Sequence, residues 1–156
     1  MANNNNSNVN INQALNNIMQ IIAPLGKPDP VYDDCSEVAL KLKSFIANSE
    51  ILTIMSPRDN VSINTFITET YGKPSINYLG EPFDFHSVLL VNVYGVYYVI
   101  DMFSNNPIQL IDEYIFNLKN INNGIPFVTF VGEYDTSYNI RLLEKLNSRG
   151  IAYRTY

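Results

Sequence analysis

The stretch Val88-Leu89-Leu90-Val91-Asn92-Val93, Tyr94-Gly95, Val96-Tyr97-Tyr98-Val99-Ile100 constrains the fold more than any other part of the chain. Two runs rich in β-branched and aromatic residues, joined by a two-residue turn that contains glycine, predict an antiparallel hairpin. With Tyr94 and Gly95 at the tip, Val93 faces Val96, and counting outward puts Asp101 opposite Val88. Side chains alternate from face to face along a strand. His86 therefore shares a face with Val88 and becomes a diagonal neighbour of Asp101. A turn one residue longer or shorter would send the two to opposite faces, so the prediction depends on this register.

The segments around the hairpin predict an α+β chain, with helices gathered at the start and strands later. Ile11, Leu15, Ile18, Met19 and Ile22 recur at helical spacing until Pro24, Gly26, Pro28 and Pro30 break the pattern. A second helix opens at Cys35. Asp34 and Glu37 have the spacing of a capping box, with Asp in place of Ser or Thr, and Val38, Leu40, Leu42, Phe45 and Ile46 supply the expected buried side. Ile51 to Met55 predicts a strand, and residues 62–71 suit strand or helix. Farther on, Pro107 to Leu118 predicts a helix and Pro126 to Val131 a strand. Tyr138 to Ser148 predicts a helix closed by Gly150, and Ile151 to Tyr156 a last strand. Residues 1–10 are mostly asparagine with almost nothing to bury, which predicts a disordered lead or linker. That leaves residues 11–156 as a single domain, and a hydrophobic share of 46% is enough to build one core at this size.

A net charge of −5 opposes the broad attraction that nonspecific binding to nucleic acid or an anionic membrane relies on. No apolar run approaches the roughly 18 to 20 residues of a membrane span, and Met1-Ala2-Asn3-Asn4 lacks the features of a signal peptide. The expectation is a soluble chain without an export address of its own. The single cysteine closes no internal disulfide and makes no structural zinc site, which fits a reducing compartment at the site of action. There is no phosphate-binding loop, dinucleotide turn or metal-binding cysteine spacing, so no cofactor is expected.

Cys35, the only cysteine, and His86, the only histidine, fall with Asp101 into the order of a thiol acyl-transfer triad. A helix N-terminus and a nearby imidazolium both favour the thiolate, while the preceding Asp33 and Asp34 oppose it unless they face solvent or act as caps. In this arrangement Asp101 orients His86, and His86 passes a proton to the leaving group. The alternative is a small buried thiol, a strand-start histidine and a turn-forming aspartate.

The pieces Asp34-Cys35-Ser36, His86-Ser87-Val88-Leu89-Leu90-Val91 and Val96-Tyr97-Tyr98-Val99-Ile100-Asp101 resemble the papain-like toxin domains at the C-terminal ends of bacterial polymorphic and contact-dependent toxins. The resemblance covers about residues 30–105. It implies a papain-like fold with the nucleophile at a helix start packed on an antiparallel sheet. It further implies Cys35 as nucleophile, His86 as general base and Asp101 as orienting acid of a cysteine hydrolase, a protease or deamidase. Its substrate is then a protein or peptide, and its partner a cognate immunity protein. Such a domain travels as part of a larger secreted protein and acts in the target-cell cytoplasm. The chain departs from papain-like peptidases in two places. No glutamine stands between Lys27 and Asp34, Gln20 being the nearest upstream, and the usual Cys-Gly or Cys-Trp context is missing. The Cys35 N–H is thus the one oxyanion donor the sequence assigns.

Three further features have ordinary explanations. Arg141, Lys145 and Arg149 recur every four residues, as on a solvated helix face with cations near its C-terminus. Glu133 and Asp135 fit loop and capping roles better than a metal or acid/base pair. Tyr94, Tyr97, Tyr98 and Phe103 fit strand packing as well as a peptide groove. Two other functions compete with the enzyme: a non-catalytic acidic binding module of immunity type, and a papain-like fold recruited to RNA cleavage through the basic stripe.

Overall fold

The computed structural model describes residues 2–29, 34–55, 76–78, 81–83, 85–122, 127–133 and 153–156. Helix α1 runs Ala2–Ile22 and passes through a 3-10 turn, Ala23–Leu25, while α2 runs Cys35–Phe45. The strands are β1 (Ser49–Met55), β2 (Ile76–Tyr78), β3 (Glu81–Phe83), β4 (Phe85–Val93), β5 (Val96–Ile100), β6 (Ile108–Leu110), β7 (Val128–Val131) and β8 (Tyr153–Thr155). Helix α3, Ile111–Ile121, lies between β6 and β7. Six strands form one sheet in the order β6-β5-β4-β1-β7-β8, all pairings antiparallel, and β2 pairs with β3 separately. The α+β class and the antiparallel sheet follow the sequence pattern.

The central strands are buried on both faces. Ile51, Leu89, Val91, Val93 and Ile100 meet Ile18 and Ile22 of α1 and Ala39 and Leu42 of α2. Leu52, Ile54, Val88, Leu90 and Val99 meet Tyr114, Ile115 and Leu118 of α3. Burying one large aliphatic side chain contributes about 1.5 to 3 kcal/mol, so these two layers fix the positions of α2 and α3 over the sheet. Among the described residues no helix is long and apolar enough to cross a membrane.

Several local expectations are corrected. The asparagine-rich start, expected as a disordered lead over residues 1–10, is helical from Ala2. Asn8, Val9 and Asn10 are exposed, so the helix there extends from the packed part beginning near Ile11. Residues 108–110 are a strand, and the helix expected from Pro107 starts only at Ile111. The edge of β5 pairs Ile108 with Ile100 and Leu110 with Tyr98, and that ladder outweighs helical spacing. On α2, Ala39 and Leu42 face the core, and Ile46, the residue that ends the helix, is also buried. Leu40 and Phe45 are exposed, because a narrower stripe than the one expected meets the sheet. The expectations for residues 62–71, for Asp33 and Asp135, and for the helix Tyr138 to Ser148 with its basic stripe lie outside the described residues.

Candidate active site

The hairpin has the register its sequence predicts: Leu89 faces Ile100 and Val93 faces Val96. Tyr94 and Gly95 both take positive φ, 50° and 83°, the primed turn that matches strand twist, and Gly95 N–H donates to Asn92 Oδ1 at 2.8 Å. Asp101 follows β5 directly. His86 Nε2 stands 3.0 Å from Asp101 Oδ2, with both side chains almost wholly buried.

Asp101 is held on several sides. Its Oδ1 accepts the Phe103 N–H at 3.1 Å and its Oδ2 accepts the Tyr114 hydroxyl at 2.8 Å, while its own N–H donates to Pro107 O at 2.8 Å. A carboxylate with such donors stays ionised where burial alone would favour its neutral form. Phe103 sets the edge of its ring against His86, with centroids 5.9 Å apart. These contacts fix the plane of the imidazole.

Helix α2 delivers the thiol. Asp34, extended at φ −83° and ψ 128°, caps the helix through Oδ1, which accepts Ser36 N–H at 2.7 Å and Glu37 N–H at 3.4 Å. Cys35 is then the first helical residue, where its N–H needs no intrahelical acceptor. The half-buried thiol lies beside the His86 ring and the Ser87 backbone N–H, both of which act to lower its pKa. His86 is thus set between Asp101, which meets its Nε2, and the Cys35 thiol. Beside it the Ser36 and Ser87 hydroxyls meet at 3.4 Å, tying α2 to β4.

The electrostatics favour the charged pair. For Cys35, burial is the largest influence and pushes its pKa up. The hydrogen bond and charge of His86 and the Ser87 N–H outweigh it, so the thiol titrates below its ordinary value, with Asp34 adding a small opposing effect. For His86, burial again is largest and pulls the pKa down. The charge and hydrogen bond of Asp101, with a smaller share from Cys35, raise it to about 9. Both shifts favour a thiolate facing an imidazolium over a neutral thiol beside a neutral ring.

All three residues singled out in the sequence therefore meet. Three contributors were missed: the Ser87 N–H, the Phe103 N–H and Tyr114. The last carried a signal, since Ile111, Tyr114, Ile115 and Leu118 form an apolar stripe at helical spacing and a buried tyrosine hydroxyl requires a partner. Tyr94 and Tyr97, considered for a peptide groove, are exposed at the turn end of the hairpin. Gln20 is exposed on α1, and Glu133 is exposed after β7. Among the described residues no group of three or more His, Cys, Asp or Glu is placed to hold a metal ion. Comparison with family models, curated proteins and solved structures returns no significant match.

Proposed function

We propose that this chain is a papain-like cysteine hydrolase that acts on a peptide bond or a Gln/Asn side-chain amide through an acyl-cysteine intermediate. The observation that carries this reading is His86, which is hydrogen-bonded to buried Asp101 and lies beside Cys35 at the start of a helix. Sγ attacks the carbonyl carbon, and the electron pair of the C=O bond moves to oxygen. The tetrahedral species collapses as the C–N bond breaks, and a ring proton of His86 goes to the departing nitrogen. An amine leaves from a peptide and ammonia from a side-chain amide. His86, now neutral, takes a proton from water as the water attacks the thioester, and the C–S bond breaks to release the acid with the thiolate and imidazolium restored. The Cys35 N–H stands on the attacking residue, where it can donate to the oxyanion. Because the thiol is half-buried and not sealed, enzyme chemistry is favoured over the acidic binding module.

The biological setting in this reading is an interbacterial effector, delivered within a larger protein, acting in a target cytoplasm and held in check by a cognate immunity protein. The test is expression in bacterial cytosol of the wild-type chain, Cys35→Ala and His86→Ala at matched levels. Growth arrest is expected for wild type alone, with new peptide termini or deamidated side chains in the cellular proteins that both variants lack. At neutral pH, alkylation of the one cysteine should slow about tenfold or more in His86→Ala, as thiolate gives way to thiol. Equal effects of wild type and Cys35→Ala would sink the enzyme.

A further inference from the structure

Asp101 Oδ2 is shared. It accepts His86 Nε2–H at 3.0 Å and the Tyr114 hydroxyl at 2.8 Å, from β4 on one side and α3 on the other. Tyr114 is buried in the layer under α3, with Ile115 and Leu118 beside it on the helix, so its hydroxyl is aimed by packing. Turning the Asp101 carboxylate away would also break the Phe103 N–H bond to Oδ1. Its plane is thereby fixed, and the two donors divide the charge of one oxygen.

We propose that Tyr114 is a positioning residue of the site: its hydroxyl holds Asp101 Oδ2 and takes a share of the charge that would otherwise act more strongly on His86, leaving the imidazolium able to release its proton to a leaving group. The inference rests on the thiol-enzyme reading for its purpose, although its electrostatics stand on the contacts alone. The positive end of the Tyr114 O–H dipole points at Oδ2 and opposes the attraction between carboxylate and imidazolium. A histidine held too strongly by its carboxylate would be a poor general acid at neutral pH. Among the described residues, the titratable groups facing His86 are Cys35 from α2 and Asp101 beyond β5. Tyr114 faces Asp101 from α3, and Asp34 acts on Cys35 from the helix cap.

The chain has a single histidine, so its ring C–H resonances report the site without assignment ambiguity. Titrated by NMR, folded Tyr114→Phe should lose the His86 proton at a pH roughly half to one unit higher than wild type, since a hydrogen bond to a charged group is worth about one pKa unit and part of that reaches the imidazole. In an Asp101→Asn background the same substitution should leave the midpoint in place. An unmoved or lowered midpoint in Tyr114→Phe, or an equal rise without the Asp101 carboxylate, overturns the proposal. Should Tyr114→Phe not fold, biosynthetic replacement of tyrosine by fluorotyrosine, a stronger donor, should lower the wild-type midpoint, and no change or a rise is contrary. The readout is His86 itself. Failure of the enzyme reading, seen as an inert Cys35, is therefore distinct from failure of this one.

Discussion

The two ends of the β4–β5 hairpin are built on opposite principles. At the turn end Val91 and Val93 are buried against apolar neighbours, Asn92 and Tyr94 face solvent, and the polar requirement is met locally by the Asn92 bond to Gly95. At the open end the chain buries His86, Ser87 and Asp101, whose partners come from α2, α3 and the turn after β5. The turn end depends on shape, which a neighbouring side chain of similar volume restores. The open end depends on each polar group keeping its partner, because a buried charge left alone costs several kcal/mol. A chain that needed only stability would do as well with apolar residues at both ends. That the open end buries an ionisable pair beside a thiol is the reason to look for chemistry there.

The largest expected effect lies at that end. Asp101→Ala removes the carboxylate that meets both the Tyr114 hydroxyl and the buried His86 imidazole, and should cost about 3 to 5 kcal/mol of unfolding free energy in urea titrations. The pairing also has a pH signature. His86, raised to about 9 from 6.5, contributes stability that is fully present below pH 6.5 and is lost as pH rises through about 9. Cys35, lowered from 9.0, contributes in the opposite sense: its stability is present above 9.0 and is lost as pH falls through the lowered value. Where the two intervals overlap, the proton counts offset and wild-type stability should be nearly flat. Cys35→Ala should expose the His86 contribution as a fall in stability with rising pH above about 6.5, complete at a pH under the wild-type 9 because the thiolate's share is gone. A flat profile in Cys35→Ala would mean that His86 is not paired as described.

At the turn end a smaller and purely conformational effect is expected. Gly95 sits at φ +83°, and among the described residues no atom beyond its chain neighbours lies within 4 Å of the place a Cβ would take. Gly95→Ala therefore meets no clash and suffers only the left-handed strain, about 1 to 2 kcal/mol. Its thermal midpoint should fall while the alkylation rate of Cys35 at each pH stays at the wild-type value. A changed rate profile would show that the two ends are mechanically coupled, and would break the distinction between them.

What was legible in the sequence divides along the same line. The His86 and Asp101 juxtaposition follows from one local fact, the two-residue turn, because the register of a tight hairpin propagates along both strands. Cys35 at the first helical position follows from Asp34 and Glu37 three residues apart. The helical stripe marks Tyr114 as a buried hydroxyl in need of a partner but not Asp101 as that partner, since the Tyr114 helix begins after Ile108 to Leu110 have been drawn onto the edge of β5, and edge pairing between separate segments leaves no periodic trace. The Ser87 N–H was missed because a backbone donor has no residue type to mark it. The outward placement of Leu40 and Phe45 likewise depends on how far the sheet extends beneath α2, which spacing along the helix does not encode.

The smallest expected effect concerns Asp34, where the two kinds of contribution have opposite signs within one residue. As the helix cap, Asp34 accepts the Ser36 and Glu37 N–H groups, and Asp34→Ala should cost about 0.5 to 2 kcal/mol of stability. As a negative charge beside the thiol, the same carboxylate raises the Cys35 pKa. Removing it also uncovers two helix N-terminal N–H groups whose dipoles favour a thiolate. Asp34→Ala should therefore be the less stable protein and yet keep its thiolate to a lower pH, so that alkylation in the acid limb is faster than in wild type. Asp34→Ser separates the two contributions, since the hydroxyl restores most of the cap and none of the charge. It should recover the stability and retain part of the acid-limb shift, the part due to charge alone. If Asp34→Ser regains stability and the wild-type rate profile together, the carboxylate acts on Cys35 only through the geometry of the helix start. The thiolate would then owe its stability wholly to His86 and the Ser87 N–H.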